Sequence, residues 1–79
     1  MWLKSITVAS ITGNARVMNV EPTTTMRDIK NRLYELEGIS ANQQRLLYRG
    51  RILRDEDTIE SLGIADGQVI HMVLMPNAA

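Results

Sequence analysis

The chain of 79 residues has no cysteine, one histidine, one tryptophan and a formal net charge of zero. Without cysteine it can form neither a disulfide framework nor a thiolate nucleophile or metal ligand. A zero net charge gives no overall attraction to nucleic acid or to an anionic membrane. No apolar run approaches the roughly 20 residues of a membrane helix, and the N-terminus lacks the apolar core of a signal peptide. We therefore expect a protein of the cytoplasm, the nucleus or both, without membrane contact.

The sequence contains no recognisable set of catalytic residues. The lone His71 has no second metal ligand and no proton-transfer partner visible in the pattern. No nucleophile, metal set or acid–base pair can be recognised. We expect a non-enzymatic protein that needs no metal or cofactor.

The last apolar run, 68–75, is the stretch around which the chain is organised. It is rich in β-branched residues, follows Asp66-Gly67 and is closed by Pro76, which predicts a strand. Alternate side chains of a strand point to opposite faces. One face therefore carries Ile70, Met72 and Leu74, and the other carries Val69, His71, Val73 and Met75.

The remaining patterns predict one helix and four further strands. Alternation predicts strands at 3–9, 16–20, 43–48 and 51–53, with a single helical turn at 58–62 before the final strand. Thr25 and Asp28 have the spacing of a capping box, and Gly38 is placed to end the helix. The predicted apolar stripe of the helix consists of Met26, Ile29, Leu33 and Leu36, and Lys30 is expected to lie off that stripe.

This order, β-β-α-β-β-β, predicts an α+β fold with one mixed sheet and one long helix. A single helix covers only one face of the sheet. Because Leu46 and Leu47 are adjacent, alternation sends them to opposite faces, and Leu47 is expected on the uncovered one. It would lie there with His71 and Val73, and Ile11 could lean onto the edge. A contiguous apolar group of this kind marks a binding surface.

Three short motifs carry a resemblance to the ubiquitin family. They are Val20-Glu21-Pro22, Glu37-Gly38-Ile39 and Asn42-Gln43-Gln44-Arg45-Leu46. The resemblance extends without gaps over nearly the whole chain and implies the β-grasp fold. It also implies a docking patch, because the Leu-Ile-His-Val receptor-binding patch of ubiquitin matches Ile11, Leu47, His71 and Val73. These are the residues that alternation leaves uncovered.

The chain departs from the ubiquitin pattern at residues 75–79. They read Met-Pro-Asn-Ala-Ala, where ubiquitin has Arg-Leu-Arg-Gly-Gly with a terminal glycine that is joined to lysines. Proline stiffens this stretch, and the alanines add methyl groups at the reacting position. Among the chain-forming lysines of ubiquitin, only Lys30 keeps its position, and Arg51 replaces another. The departures favour a module that acts without covalent conjugation over a covalent modifier.

Arg45, Arg49, Arg51 and Arg54 form a basic cluster in the sequence, which we call the arginine rim. The cluster has three interpretations. It can be a solvated strand edge that discourages aggregation, a rim that pairs with acidic flanks of a partner helix, or a contact for nucleic-acid phosphates. The zero net charge and the single tryptophan count against the third interpretation.

Together these patterns predict one ubiquitin-like domain over residues 1–79, with an ordered core at about 3–75 and a tail at 76–79. We expect a monomer that binds ubiquitin-receptor or proteasome-type proteins weakly and non-covalently. The alternatives are a nucleic-acid-binding protein that uses the arginine rim and a covalent ubiquitin-like modifier.

Overall fold

The computed structural model describes residues 3–10 and 13–75. The predicted order of elements is observed, with bounds that shift by at most one residue and with a 3-10 turn, Ala41–Gln43, before the third strand. The strands are β1 (Lys4–Ser10), β2 (Ala15–Val20), β3 (Gln44–Tyr48), β4 (Arg51–Ile52) and β5 (Val69–Leu74). The helices are α1 (Met26–Glu37) and the single turn α2 (Ile59–Leu62).

The five strands form one mixed sheet in the order β2-β1-β5-β3-β4. β5 is parallel to β1, and the other neighbouring pairs are antiparallel. The last strand of the chain therefore lies in the centre of the sheet and is hydrogen-bonded on both sides. β2 and β4 are the two edges.

The ends of α1 follow from local chemistry. The Thr25 hydroxyl accepts from the Asp28 N–H at 3.1 Å, and the Asp28 carboxylate accepts from the Thr25 N–H at 3.0 Å. This confirms the predicted capping box. At the other end Gly38 adopts φ 74°, in the left-handed region, and its N–H donates to the Tyr34 carbonyl at 2.8 Å.

The predicted apolar stripe of α1 is wrong at its last member. Leu36 is 53% exposed, whereas Lys30 is buried. Each residue of a helix is rotated by about 100° around the axis relative to the one before it. Leu36 therefore lies about 80° around the helix from Met26, whereas Lys30 and Leu33 lie at smaller angles from Met26. Lys30 can occupy the stripe because its ammonium group reaches an Asp55 oxygen at 2.6 Å.

The hydrophobic core lies between α1 and one face of the sheet. Leu46 is fully buried there. The buried hydrophobic strand residues on this face are Ile6, Val8, Met18, Val20, Leu46, Tyr48, Ile70 and Met72. Within residues 3–10 and 13–75, no side chain of the opposite sheet face belongs to the core. The sheet therefore has one structural face and one face that is left without a helical layer, which we call the open face.

Candidate protein-binding face

A row of side chains crosses the open face perpendicular to the strands. Ala9 of β1 is in register with His71 of β5, His71 with Leu47 of β3, and Leu47 with Ile52 of β4. Residues opposite one another in neighbouring strands share a face and lie about 5 Å apart. The sheet therefore brings Leu47 and His71, which lie far apart in the sequence, into contact distance.

Val73 lies two residues after His71 in β5, so its side chain is on the same face and next to this row. It is in register with Arg45. His71 is exposed, whereas Leu47 and Val73 are half-buried among their neighbours on the flat sheet. Three of the predicted patch residues thus form one contiguous surface, and the fourth, Ile11, lies outside the described residues.

Ile52 was not among the predicted patch residues, yet it extends their row. It is 57% exposed and in register with Leu47. The alternation rule could have found it, because Leu53 is buried and its neighbour must then point the other way. The sequence pattern did not indicate Ile52 because a strand as short as β4 gives little alternation to read.

The arginine rim divides into two parts in the structure. Arg45 lies on the open face beside Val73, whereas Arg51 is in register with the buried Tyr48 and so lies on the opposite side of the sheet. Arg49 stacks its guanidinium 5.3 Å from the centre of the Tyr48 ring. Its φ of 53° and the φ of 78° at Gly50 form the tight turn between β3 and β4.

The four rim arginines are all exposed, but they differ in their partners. Arg54 pairs with Glu56 at 3.2 Å, an exposed contact that contributes little to stability. Arg45 and Arg51 form no ion pair with any residue of the described segments. Their charges are therefore available to a partner.

The loop that carries Arg54 is anchored to the start of α1. The Met26 N–H donates to the Asp57 carbonyl at 2.9 Å, and the Arg27 N–H donates to the Asp55 carbonyl at 3.1 Å. Asp55 also accepts from Lys30, and this hydrogen bond holds the pKa of the Asp55 carboxyl below its ordinary value of 3.8. The start of the helix thereby fixes the position of the loop next to the sheet edge.

Two shallow hollows flank Ile52 at this edge. The larger has a volume of about 570 Å³ and lies between β4 and α2, and the smaller, of about 440 Å³, lies toward α1 and Met75. Arg49, Arg51 and Arg54 line the larger hollow. Arg27, Arg45 and Arg54 line the smaller one, with Lys30 and its partner Asp55.

In the described segments, no three histidine, aspartate or glutamate side chains come together as a group that could hold a metal ion. None of the helices in these segments combines the length and apolar character needed to cross a bilayer.

Residues 6–77 match the sequence model of the Ubiquitin family. The chain belongs to the ubiquitin family. It is 38% identical over 69 residues to ubiquitin-like protein 1 of Schizosaccharomyces pombe, which covers 87% of this chain and 88% of that protein. It is 41% identical over 56 residues to the ubiquitin domain-containing protein DSK2 of Saccharomyces cerevisiae, which covers 71% of this chain but 15% of that protein.

The solved structure of ubiquitin from Caldiarchaeum subterraneum superposes with a TM-score of 0.89 at 25% identity, covering 99% of this chain and 100% of that chain. The expected β-grasp fold is thereby confirmed. Ubiquitin-family relatives include a small protein matched over most of its length and a large protein matched over a minor part.

Proposed function

We propose that this chain is a non-covalent protein-interaction module of the ubiquitin family. It docks ubiquitin-receptor or proteasome-type proteins through Leu47, His71 and Val73, with the arginine rim setting orientation and rate of association. The observation that carries the proposal is the contiguous row on the open face, none of whose side chains belongs to the core of the described residues. Similarity to one part of the much longer DSK2 supports a role as a binding module.

The size of this surface sets the expected affinity. A few half-buried apolar side chains cover less area than a standard interface, so we expect dissociation constants of roughly micromolar to sub-millimolar. Binding requires no cofactor and no catalytic group, and we place the protein in the cytoplasm, the nucleus or both.

The test is a titration with a ubiquitin-receptor helix, followed by amide chemical shifts. We expect the shifts to centre on Leu47, His71 and Val73. Leu47→Ala should weaken binding more than tenfold while the melting temperature stays nearly unchanged, because Leu47 lies outside the core. Val17→Ala is the matched control, since Val17 is 71% exposed on the same sheet face at the far edge strand.

Three results would contradict the proposal. Shifts confined to α1 or to β2 would place the binding surface elsewhere. Unfolding of the Leu47→Ala variant would show that this side chain supports the core. A covalent adduct formed with a ubiquitin-activating enzyme would overturn the non-covalent part of the proposal.

A second candidate function is nucleic-acid binding through the arginine rim. Arg45 and Arg51 are exposed and form no ion pair within residues 3–10 and 13–75, which favours this function. Phosphate contacts weaken steeply as salt rises, whereas apolar docking responds little. A titration with a short single-stranded oligonucleotide should shift the amides of residues 45–54 at low salt if this function is correct, and absence of shifts there excludes it.

A further inference from the structure

Every exposed basic residue of this chain is an arginine. The nine basic residues include two lysines, Lys4 and Lys30. Lys4 is half-buried and Lys30 is buried. The exposed basic residues are Arg27, Arg32, Arg45, Arg49, Arg51 and Arg54. This division has a chemical consequence, because a lysine amine can accept an acyl group, whereas a guanidinium group stays protonated and is no nucleophile at neutral pH.

Lys30 is held inside the fold by an ion pair. Its ammonium group lies 2.6 Å from an Asp55 oxygen, and its side chain is 11% exposed. The turn of helix that carries it is fixed as well, because the Lys30 carbonyl accepts from the Gln44 amide group at 3.0 Å. To reach a reagent in solution, the Lys30 amine must leave a charge-assisted hydrogen bond and come out of the core stripe.

Lys4 is turned to the covered face of the sheet. It precedes Ile6 by two residues in β1, so the two side chains share a face, and Ile6 is fully buried. The Lys4 ammonium donates to the carbonyl of Ile64 at 3.0 Å. The next residue is tied to the same loop, because the Ser5 N–H donates to the Asp66 carboxylate at 2.6 Å. Lys4 therefore fastens the start of β1 to the segment after α2, and its amine is occupied there.

We propose that the folded domain offers no acceptor lysine for acyl transfer, so that it docks beside enzymes that modify lysines without being modified itself. In such a transfer the lysine nitrogen attacks a thioester carbonyl, a C–N bond forms, and the C–S bond breaks. The thiol leaves with the proton of the amine. The attacking amine must be deprotonated and extended toward the carbonyl, and neither Lys4 nor Lys30 meets this condition while its hydrogen bond is intact.

The test compares the native lysines with one introduced at an exposed position. Arg51→Lys supplies it, because Arg51 is exposed and forms no ion pair within residues 3–10 and 13–75. The folded variant is treated with the N-hydroxysuccinimide ester of acetic acid, and mass spectrometry follows acetylation at each lysine. The introduced lysine should react at least about tenfold faster than Lys4 or Lys30, the factor that a hydrogen bond to a charged group represents. Similar rates in the folded protein would overturn the proposal, whereas similar rates are expected in concentrated urea.

Asp55→Ala tests whether the ion pair is what protects Lys30. Acetylation at Lys30 should rise about tenfold, while acetylation at Lys4, which has a different partner, should stay unchanged. No rise at Lys30 would contradict the proposed cause. Asp55→Asn replaces Asp55→Ala if the latter is partly unfolded under the conditions of the assay, a state that a joint rise at both lysines reveals.

Transfer from a conjugating enzyme charged with ubiquitin tests the consequence. With an enzyme that also transfers to free lysine, isopeptide bonds should form at the lysine introduced by Arg51→Lys and at neither native lysine. An isopeptide bond at Lys4 or Lys30 overturns the proposal, and so does a failure to modify the introduced lysine, since exposure would then not decide the reaction. These readouts do not involve Leu47. Loss of the docking face would therefore overturn the proposed function and leave this inference standing.

Discussion

Removing the carboxylate of Asp55 should cost far more stability than removing the charge of its partner Lys30. The Lys30 side chain is 11% exposed and that of Asp55 is 37% exposed, with 2.6 Å between ammonium and carboxylate. Asp55→Ala leaves a buried ammonium without a counterion. Breaking a fully buried pair costs about 3–5 kcal/mol. Because Asp55 is partly solvated, screening reduces the expected loss to about 2 kcal/mol.

Lys30→Met, in contrast, should change the free energy of unfolding little. It puts an apolar side chain of similar length into the helix stripe beside Ile29 and Leu33, and the exposed carboxylate of Asp55 keeps its contact with Arg27 at 3.4 Å. Replacing a buried ionic group with an apolar one is often neutral. We expect a change within about 1 kcal/mol, and the double variant Lys30→Met/Asp55→Ala should resemble Lys30→Met alone.

Urea denaturation followed by far-UV circular dichroism measures these differences, and thermal melts provide a check. For a domain of this size about 2 kcal/mol corresponds to roughly 10 °C in the melting temperature. Asp55→Asn, which keeps a hydrogen-bond acceptor without the charge, should fall between wild type and Asp55→Ala. The reasoning is refuted if Lys30→Met destabilises as much as Asp55→Ala, since the ion pair itself would then be the source of stability.

Three further predictions follow from the helix and its ends. Leu33→Ala should lower the free energy of unfolding by about 3 kcal/mol, whereas Leu36→Ala should change it by less than about 0.5 kcal/mol; equal losses in urea titrations would contradict the position of the stripe. Gly38→Ala should cost about 1 kcal/mol in a thermal melt, because φ is 74° there while the added methyl group meets no atom within 4 Å. The N–H of Thr25 lowers the pKa of the Asp28 carboxyl below 3.8, so its stabilisation is present above that value and is lost as pH falls through the folded pKa. Asp28→Asn should therefore flatten this part of the acid unfolding curve, and an unchanged curve would show that the cap does not titrate with folding.

The sequence predicted the features that depend only on residues close together in the chain. The capping box at Thr25 and the glycine at position 38 depend only on residues within one turn, so their spacing in the sequence was sufficient. The opposite directions of Leu46 and Leu47 likewise follow from strand alternation alone. The same alternation rule predicted that the sheet has one covered face and one open face.

Features that depend on partners distant in the sequence could not be read in this way. Lys30 was placed outside the stripe because a lysine is rarely buried without a counterion, and its counterion lies 25 residues away. The split of the arginine rim depends on the pairing of Arg51 with Tyr48, which places Arg51 on the other side of the sheet. Both cases need the tertiary pairing before the local residue can be interpreted.

The position of each proposed binding residue in the sheet determines what it would contribute. His71 and Val73 lie on β5, which is hydrogen-bonded on both sides and whose alternate residues Ile70 and Met72 are buried in the core. They are held in one geometry, so a partner loses little conformational freedom by meeting them. Ile52 lies on the two-residue edge strand β4, which is hydrogen-bonded on one side only. The side chain of Ile52 is not part of the core, so substitutions at this edge should leave the fold intact, whereas the proposed docking surface is held by the central strands.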